Sequence, residues 1–130
     1  MESNYQKVRN YVLDIGYDVS FENEADELLI VRKDSEGITG LVICCRAPIM
    51  IMEQYVVELA HISADVYKRL LQMNREIVHG AFTLDDSGTK VVFRDSLELE
   101  TLSFNELSAS FNSLSLLLTE FSQELIQFSK

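Results

Sequence analysis

Apolar residues recur at steps of three and four along two stretches of the chain, which is the period of an α-helix with one buried face. The first stretch predicts a helix from Asn4 to Ile15. Ser3 and Gln6 have the spacing of a capping box at its start, and Gly16 is placed to end it. The second stretch is longer, and its apolar positions are Leu107, Phe111, Leu114, Leu118, Phe121, Leu125 and Phe128.

The C-terminal stripe predicts a helix that begins after Ser103, because Ser103 and Glu106 repeat the capping-box spacing. A helix of about 25 residues is about 37 Å long, so its apolar face needs a long partner surface. That surface is either a sheet of the same chain or, in a coiled coil, a helix of another chain. We favour the sheet, because Leu116, Leu117 and Ile126 widen the stripe beyond the positions that a coiled coil uses.

Between these two helices, shorter apolar or alternating runs predict β-strands separated by polar turns. Tyr17, Val19 and Phe21 alternate with polar residues, which is the pattern of a strand with one buried face. Further strands are predicted over Leu28–Arg32, Ile38–Arg46, Ile77–Leu84 and Val91–Leu99, with turns at Asp34–Gly37 and Asp85–Gly88.

The middle of the chain predicts an extended or irregular segment followed by a second helix. Ile49–Leu59 follows Pro48, which has no N–H to donate to a strand ladder. Ser63 is a suitable N-cap for a helix that ends near Asn74. Short connections between successive strands favour antiparallel pairing. We therefore expect the α+β class, with an antiparallel sheet, helices packed on it and a long C-terminal helix.

Composition and charge narrow the classes of partner. The chain has 130 residues, a common single-domain size, so we expect one domain over residues 1–130. Its 11 basic and 21 acidic residues give a formal net charge of -10, which disfavours nucleic acid and anionic membranes as partners. The longest apolar run, Ile38–Met52, is interrupted by Arg46 and Pro48, and the N-terminal residues contain no apolar leader core. We therefore expect a cytoplasmic protein.

Candidate chemistry is sparse. Cys44 and Cys45 are adjacent and lack a C-x-x-C partner, and both are expected to be small buried residues in a reducing compartment. His61 and His79 have no metal-ligand spacing, and neither a nucleophile elbow nor a phosphate loop occurs. We therefore expect no enzyme activity, no cofactor and no metal. The alternative is a small enzyme that uses Cys44 or Cys45 with a histidine.

A surface for another protein is the remaining candidate. Ile49, Met50, Ile51 and Met52 follow Pro48, and methionine is a flexible side chain suited to adaptable binding surfaces. An edge strand beside a proline could also accept an extended segment by β-augmentation. For these four residues we favour a buried strand. Ile49 to Met52 are the candidate partner-binding residues under the hypothesis that this segment lies at the surface.

The second half of the chain carries a family resemblance. The runs Leu70–Asn74, Gly80–Leu84, Asp85–Gly88 and Val91–Leu97 resemble the YbjN family and the related type III secretion chaperone-like domains. The shared layout is a helix ending in Asn, a glycine, a short apolar strand and a turn. A strand ending in an Arg-x-Ser-Leu-like motif and a long C-terminal helix follow.

This resemblance implies a secretion-chaperone-like α+β fold, a homodimer and a role without catalysis. Secretion chaperones hold a partly unfolded client segment on apolar patches of their sheet and helices, whereas YbjN-type proteins are linked to regulation. We therefore expect a domain that binds a partner polypeptide, with a regulatory dimerisation module of the sensory-transduction type as the alternative. The resemblance also implies that Asn74 ends the second helix and that Gly80 allows close packing on the long helix.

Overall fold

The computed structural model describes residues 1–130, which form three helices and six strands. The helices are α1 (Asn4–Ile15), α2 (Ala64–Asn74) and α3 (Phe104–Phe128). The strands are β1 (Asp18–Asn23), β2 (Leu28–Lys33), β3 (Ile38–Arg46), β4 (Ile49–Glu58), β5 (Ala81–Leu84) and β6 (Lys90–Glu98). A short 3-10 turn, Asp34–Glu36, joins β2 to β3. None of the three helices combines the length and the apolar character that a membrane-spanning segment requires.

All six strands form one antiparallel sheet in the order β1-β2-β3-β4-β6-β5. The predicted α+β class, with helices packed on an antiparallel sheet and a long C-terminal helix, is confirmed. The segment after Pro48 is a regular strand, β4, which lies in the middle of the sheet between β3 and β6. Pro48 leaves the ladder intact because it lies in the turn between β3 and β4, where its carbonyl accepts the N–H of Leu99.

Each helix begins after a serine whose side chain replaces a missing backbone partner. Ser3 Oγ accepts the N–H of Gln6, and the Gln6 side chain accepts the N–H of Ser3, which completes the predicted capping box. Ser63 and Ser103 cap α2 and α3 with their side-chain oxygens. Gly16 ends α1 in a left-handed conformation with φ of 98°.

The helices α1 and α3 cover one face of the sheet. The buried residues of the central strands alternate with half-buried ones, as Leu41, Ile43 and Cys45 on β3 illustrate. On α3 the buried apolar residues are Leu107, Phe111, Leu114, Leu117, Phe121 and Leu125. The long helix therefore packs on the sheet of its own chain. Leu116 and Ile126, which the pattern assigns to a wider buried stripe, are instead 69% and 52% exposed.

A β-bulge changes the face that Phe21 occupies. The alternation of Tyr17, Val19 and Phe21 predicts that all three are buried together. In the sheet, Val19 lies opposite Val31, whereas Phe21 lies opposite Ile30, because an extra residue is inserted between them. Tyr17 is buried, but Phe21 is 47% exposed on the other face. The prediction is therefore wrong for Phe21.

The segment before β5 is a loop. The predicted strand Ile77–Leu84 begins only at Ala81, and Gly80, with φ of 82°, turns the chain immediately before it. A side chain at Gly80 would place its Cβ 2.4 Å from the ring of Phe93. Gly80 therefore allows close packing, but against β6 and not against the long helix.

Candidate functional site

The face of the sheet that bears no helix carries mainly apolar side chains. Strand pairing places Cys44 between Leu28 and Ile51, and in the next row it places Val42 beside Ile30. We call this patch the outer sheet face; its apolar residues are Phe21, Leu28, Ile30, Val42, Cys44, Ile49 and Ile51. Phe21 is exposed, and the other six are half-buried.

Contacts of β6 show which side of the sheet the helices occupy. Asp95 accepts a hydrogen bond from Ser110 of α3, and Phe93 on the same side of β6 is fully buried. Arg94 points to the other side and forms an ion pair with Glu53 at the surface. The outer sheet face is therefore open, and an open apolar patch of this kind is typical of an interaction surface.

A shallow depression of about 350 Å³ lies at the centre of the outer sheet face. Leu28, Val42, Cys44 and Ile51 line it, and Glu53 is the one charged residue at its edge. The carboxylate of Glu53 is paired with Arg94, which balances its charge. The depression can therefore accept an apolar side chain, whereas it offers little to a charged ligand.

The four candidate residues of β4 divide between the two faces of the sheet. Met50 and Met52 are fully buried in the core, because successive residues of a strand alternate in direction. Ile49 and Ile51 point the other way and are half-buried on the outer sheet face. A partner can reach these two isoleucines but not the methionines. Sequence reasoning missed the contribution of β2 and β3, because only strand register brings their residues beside β4.

The two cysteines have different environments. Cys45 is buried, and burial raises the pKa of its thiol to about 12. Cys44 is half-buried in the central depression, so the expectation that both cysteines are buried is wrong for Cys44. Its sulfur accepts a hydrogen bond of 3.2 Å from Nε of Arg46, a side chain that stays protonated and cannot act as a general base. No group of three or more His, Cys, Asp or Glu side chains is placed to hold a metal ion.

A second apolar groove lies between α2 and the edge strand β5, and we call it the α2–β5 groove. Tyr67, Leu70 and Phe82 are among its lining residues, and its volume is about 360 Å³. Leu71 and Leu84, which also line it, are 71% and 40% exposed. A sheet edge beside an exposed apolar helix face is suited to contact with another chain.

The side chain of Asn74 joins α2 to β5. Its amide oxygen accepts the N–H of Phe82 at 2.7 Å, and its amide nitrogen donates to the carbonyl of Phe82 at 3.0 Å, as a neighbouring strand would. Asn74 also ends α2, as predicted. The sequence does not predict the bonds of Asn74 to β5, because the segment between Asn74 and Phe82 carries no pattern that shows how it folds.

An ion pair holds α2 against α3. Two guanidinium nitrogens of Arg69 donate to the two carboxylate oxygens of Glu124, each at 2.8 Å. The hydrogen bonds from Arg69 lower the pKa of the Glu124 carboxyl. The guanidinium also lies over the ring of Phe121, 5.7 Å from its centroid. These contacts and those of Asn74 join α2 to α3 on one side and to β5 on the other.

Six antiparallel strands backed by a long C-terminal helix, with an open apolar face, define a domain of the secretion-chaperone-like class. The chain belongs to the CesT_Tir_1 family of type III secretion chaperones, whose family model matches residues 1–130. The predicted resemblance to type III secretion chaperone-like domains is thereby confirmed. No curated protein matches the chain.

Solved structures of low sequence identity share the fold. YbjN from E. coli superposes with a TM-score of 0.69 at 15% identity, over 92% of each chain. A chain of the ExsC–ExsE complex also gives a TM-score of 0.69, at 17% identity over 96% of this chain and 97% of that one. For the HopA1–SchA chaperone–effector complex the TM-score is 0.62 at 12% identity, over 87% and 90% of the two chains. The chain therefore has a chaperone-like fold.

Proposed function

We propose that this protein is a non-catalytic binding protein that holds a segment of a partner polypeptide on the outer sheet face. The observation that carries the proposal is the open apolar surface formed by β1 to β4 on the side away from the helices. Folded monomers rarely expose large contiguous apolar patches unless a partner uses them. The structural relatives support binding as the function, since SchA and HopA1 form a chaperone–effector complex and ExsC forms a complex with ExsE.

Apolar burial supplies the affinity in this proposal. Full coverage of a half-buried aliphatic side chain gains about 1 kcal/mol, and six half-buried apolar side chains are available on the outer sheet face. A segment that becomes ordered on binding loses conformational freedom, which offsets part of that gain. We therefore expect moderate affinity and a preference for segments with several apolar side chains.

We further propose that the protein is a homodimer that uses the α2–β5 groove as its interface. A two-fold contact there would cover the exposed side chains of Leu71 and Leu84 from both copies. Partner binding and dimerisation then use separate surfaces. The free thiols of Cys44 and Cys45 support the cytoplasm as the compartment, because cysteines stay reduced there.

A regulatory dimerisation module is the second candidate, and the fold shared with YbjN supports it. Such a module needs the α2–β5 groove and has no use for the outer sheet face. The two candidates therefore differ in what substitutions on the outer sheet face do to function.

A peptide array that tiles the proteins encoded beside this gene tests the proposal. Apolar segments should bind, and Ile51→Ser and Val42→Ser should each weaken binding by about tenfold. Ile126→Ser is the matched control, because Ile126 is an exposed apolar residue outside the outer sheet face. No binding by any segment, or equal binding by all variants, would contradict the proposal.

A further inference from the structure

A third apolar groove lies on the helical side of the molecule, between the segment that follows α2 and the middle of α3. We call it the α3 groove, and its volume is about 150 Å³. Val78 and Leu116 line it with side chains that are 84% and 69% exposed. Ile77 and Leu117 line it from deeper positions, and Leu117 belongs to the core. Solvent-exposed apolar side chains on both of its sides make it a candidate docking surface.

The segment that carries Val78 is held in place. The N–H of Ile77 donates to the carbonyl of Asn74 at 3.2 Å, and the hydroxyl of Ser113 on α3 donates to the carbonyl of His79 at 3.3 Å. Because these bonds lie on both sides of Val78, they hold in place the backbone that carries its exposed side chain. A preorganised segment binds a partner with little loss of conformational freedom.

The charged residues that line the α3 groove are both carboxylates. Glu76 and Glu120 line it, and no lysine or arginine does. Arg69 lies over the ring of Phe121, which also lines the groove, but its guanidinium is already paired with Glu124. Since the protein also has a formal net charge of -10, the groove favours a positively charged partner.

We propose that the α3 groove docks a short cationic amphipathic segment of another polypeptide. The apolar side chains of that segment contact Val78 and Leu116, and its lysine or arginine side chains pair with Glu76 and Glu120. A second copy of this chain is a poorer occupant, because a two-fold contact would bring four carboxylates together. The proposal is independent of the partner segment on the outer sheet face.

The probe for this proposal is a fluorescein-labelled peptide of leucines and lysines, compared with the same peptide carrying glutamate for lysine. Fluorescence anisotropy with the full chain should detect the lysine peptide, with the glutamate peptide at least about tenfold weaker. Leu116→Ser should weaken binding of the lysine peptide by about tenfold. Glu120→Gln should weaken it by about threefold and reduce its dependence on salt. Both residues are exposed, so the variants should keep the fold, which circular dichroism checks.

Ile126→Ser and Glu100→Gln are the matched controls, since each changes an exposed residue of the same type outside the α3 groove. Amide chemical shifts should change at residues 76–79 and 113–120 when the lysine peptide is added. The proposal is overturned if the lysine peptide does not bind, if the controls weaken it equally, or if the shifts centre on the outer sheet face. Sedimentation that detects a dimer dissociated by Leu116→Ser would also overturn it, in favour of a second copy as the occupant.

Discussion

Cys44 and Cys45 show how far one step along a strand changes the chemistry of a residue. Their side chains point to opposite faces of β3, so Cys45 enters the core and Cys44 lines the depression on the outer sheet face. Burial raises the pKa of the Cys45 thiol to about 12, which keeps it protonated near neutral pH. The thiolate is the reactive form of cysteine, so Cys45 is chemically protected.

We expect iodoacetamide to label Cys44 in the folded protein and to spare Cys45 until the protein unfolds. Peptide mass spectrometry after labelling in native buffer and in denaturant measures both sites. Cys44→Ser should remove native labelling, whereas Cys45→Ser should retain it. If Cys45 were labelled faster than Cys44 in the folded protein, the burial of Cys45 would be wrong.

The leucines of α3 differ according to the face of the helix that each occupies. Leu114 and Leu117 are buried, whereas Leu116, between them in sequence, is 69% exposed. The helical period of 3.6 residues places Leu114 and Leu117 on the sheet side and Leu116 on the side that faces solvent. The apolar content of α3 therefore exceeds what its core face requires.

A matched pair of truncations measures this difference. Leu114→Ala should lower the free energy of unfolding by about 2–5 kcal/mol, because it leaves a cavity in the core. Leu116→Ala should change it by less than about 0.5 kcal/mol, because its side chain is already in solvent. Urea denaturation of both variants beside wild type gives the two values. Equal losses would mean that α3 buries a different face.

A small polar cluster ties the 3-10 turn to the chain that leads into β1. The buried Tyr17 hydroxyl donates to one Glu36 oxygen at 2.8 Å, and Lys33 Nζ lies 3.1 Å from the other. The hydrogen bond from Tyr17 is the largest cause that lowers the pKa of the Glu36 carboxyl, and Lys33 lowers it further. Burial and the same hydrogen bond raise the pKa of Tyr17.

The pH dependence of this cluster follows from the lowered pKa of Glu36. Its contribution to stability is fully present above the ordinary carboxyl pKa of 4.5 and is lost as the pH falls through the lower folded value. Tyr17→Phe should therefore lower the free energy of unfolding by about 1 kcal/mol at neutral pH. The difference in unfolding free energy between Tyr17→Phe and wild type should decrease in acid, as urea denaturation at several pH values would measure. A difference that increases as the pH falls would contradict the stabilising role of ionised Glu36.

The whole molecule separates an open sheet face from a helical side that carries two further grooves. The covered face of the sheet holds the core, so its apolar side chains pack mainly within the chain. The outer sheet face and the α2–β5 groove are formed by different elements, and binding at one need not block the other. This arrangement suits a dimer that offers each copy's outer sheet face to a partner segment.

Sedimentation equilibrium at micromolar concentration tests the proposed dimer. Wild type should be dimeric, and Leu71→Asp should make it monomeric, because a charge would be buried against the partner copy without compensation. Leu13→Asp is the control, since Leu13 is also an exposed helical leucine but lies on α1. A monomeric wild type, or a dimer unaffected by Leu71→Asp, would contradict the assignment of the α2–β5 groove.

Helix bounds and several turns were predictable because their signals are local. The capping serines Ser3, Ser63 and Ser103 mark the starts of the three helices, and Gly16 ends the first. The strand Ile38–Arg46 was also predicted with the bounds that it has. The family resemblance rests on signals of the same kind, a short succession of such elements in the second half of the chain.

The errors lie where distant parts of the chain meet. The bulge that exposes Phe21 and the loop that delays β5 depend on pairing with another strand, and no local period encodes them. The separation of Ile49 and Ile51 from Met50 and Met52 was implicit in strand alternation, but which pair faces solvent depends on the side that α1 and α3 cover. Contacts between residues far apart in the chain decided that side, and with it which apolar residues stay open to a partner.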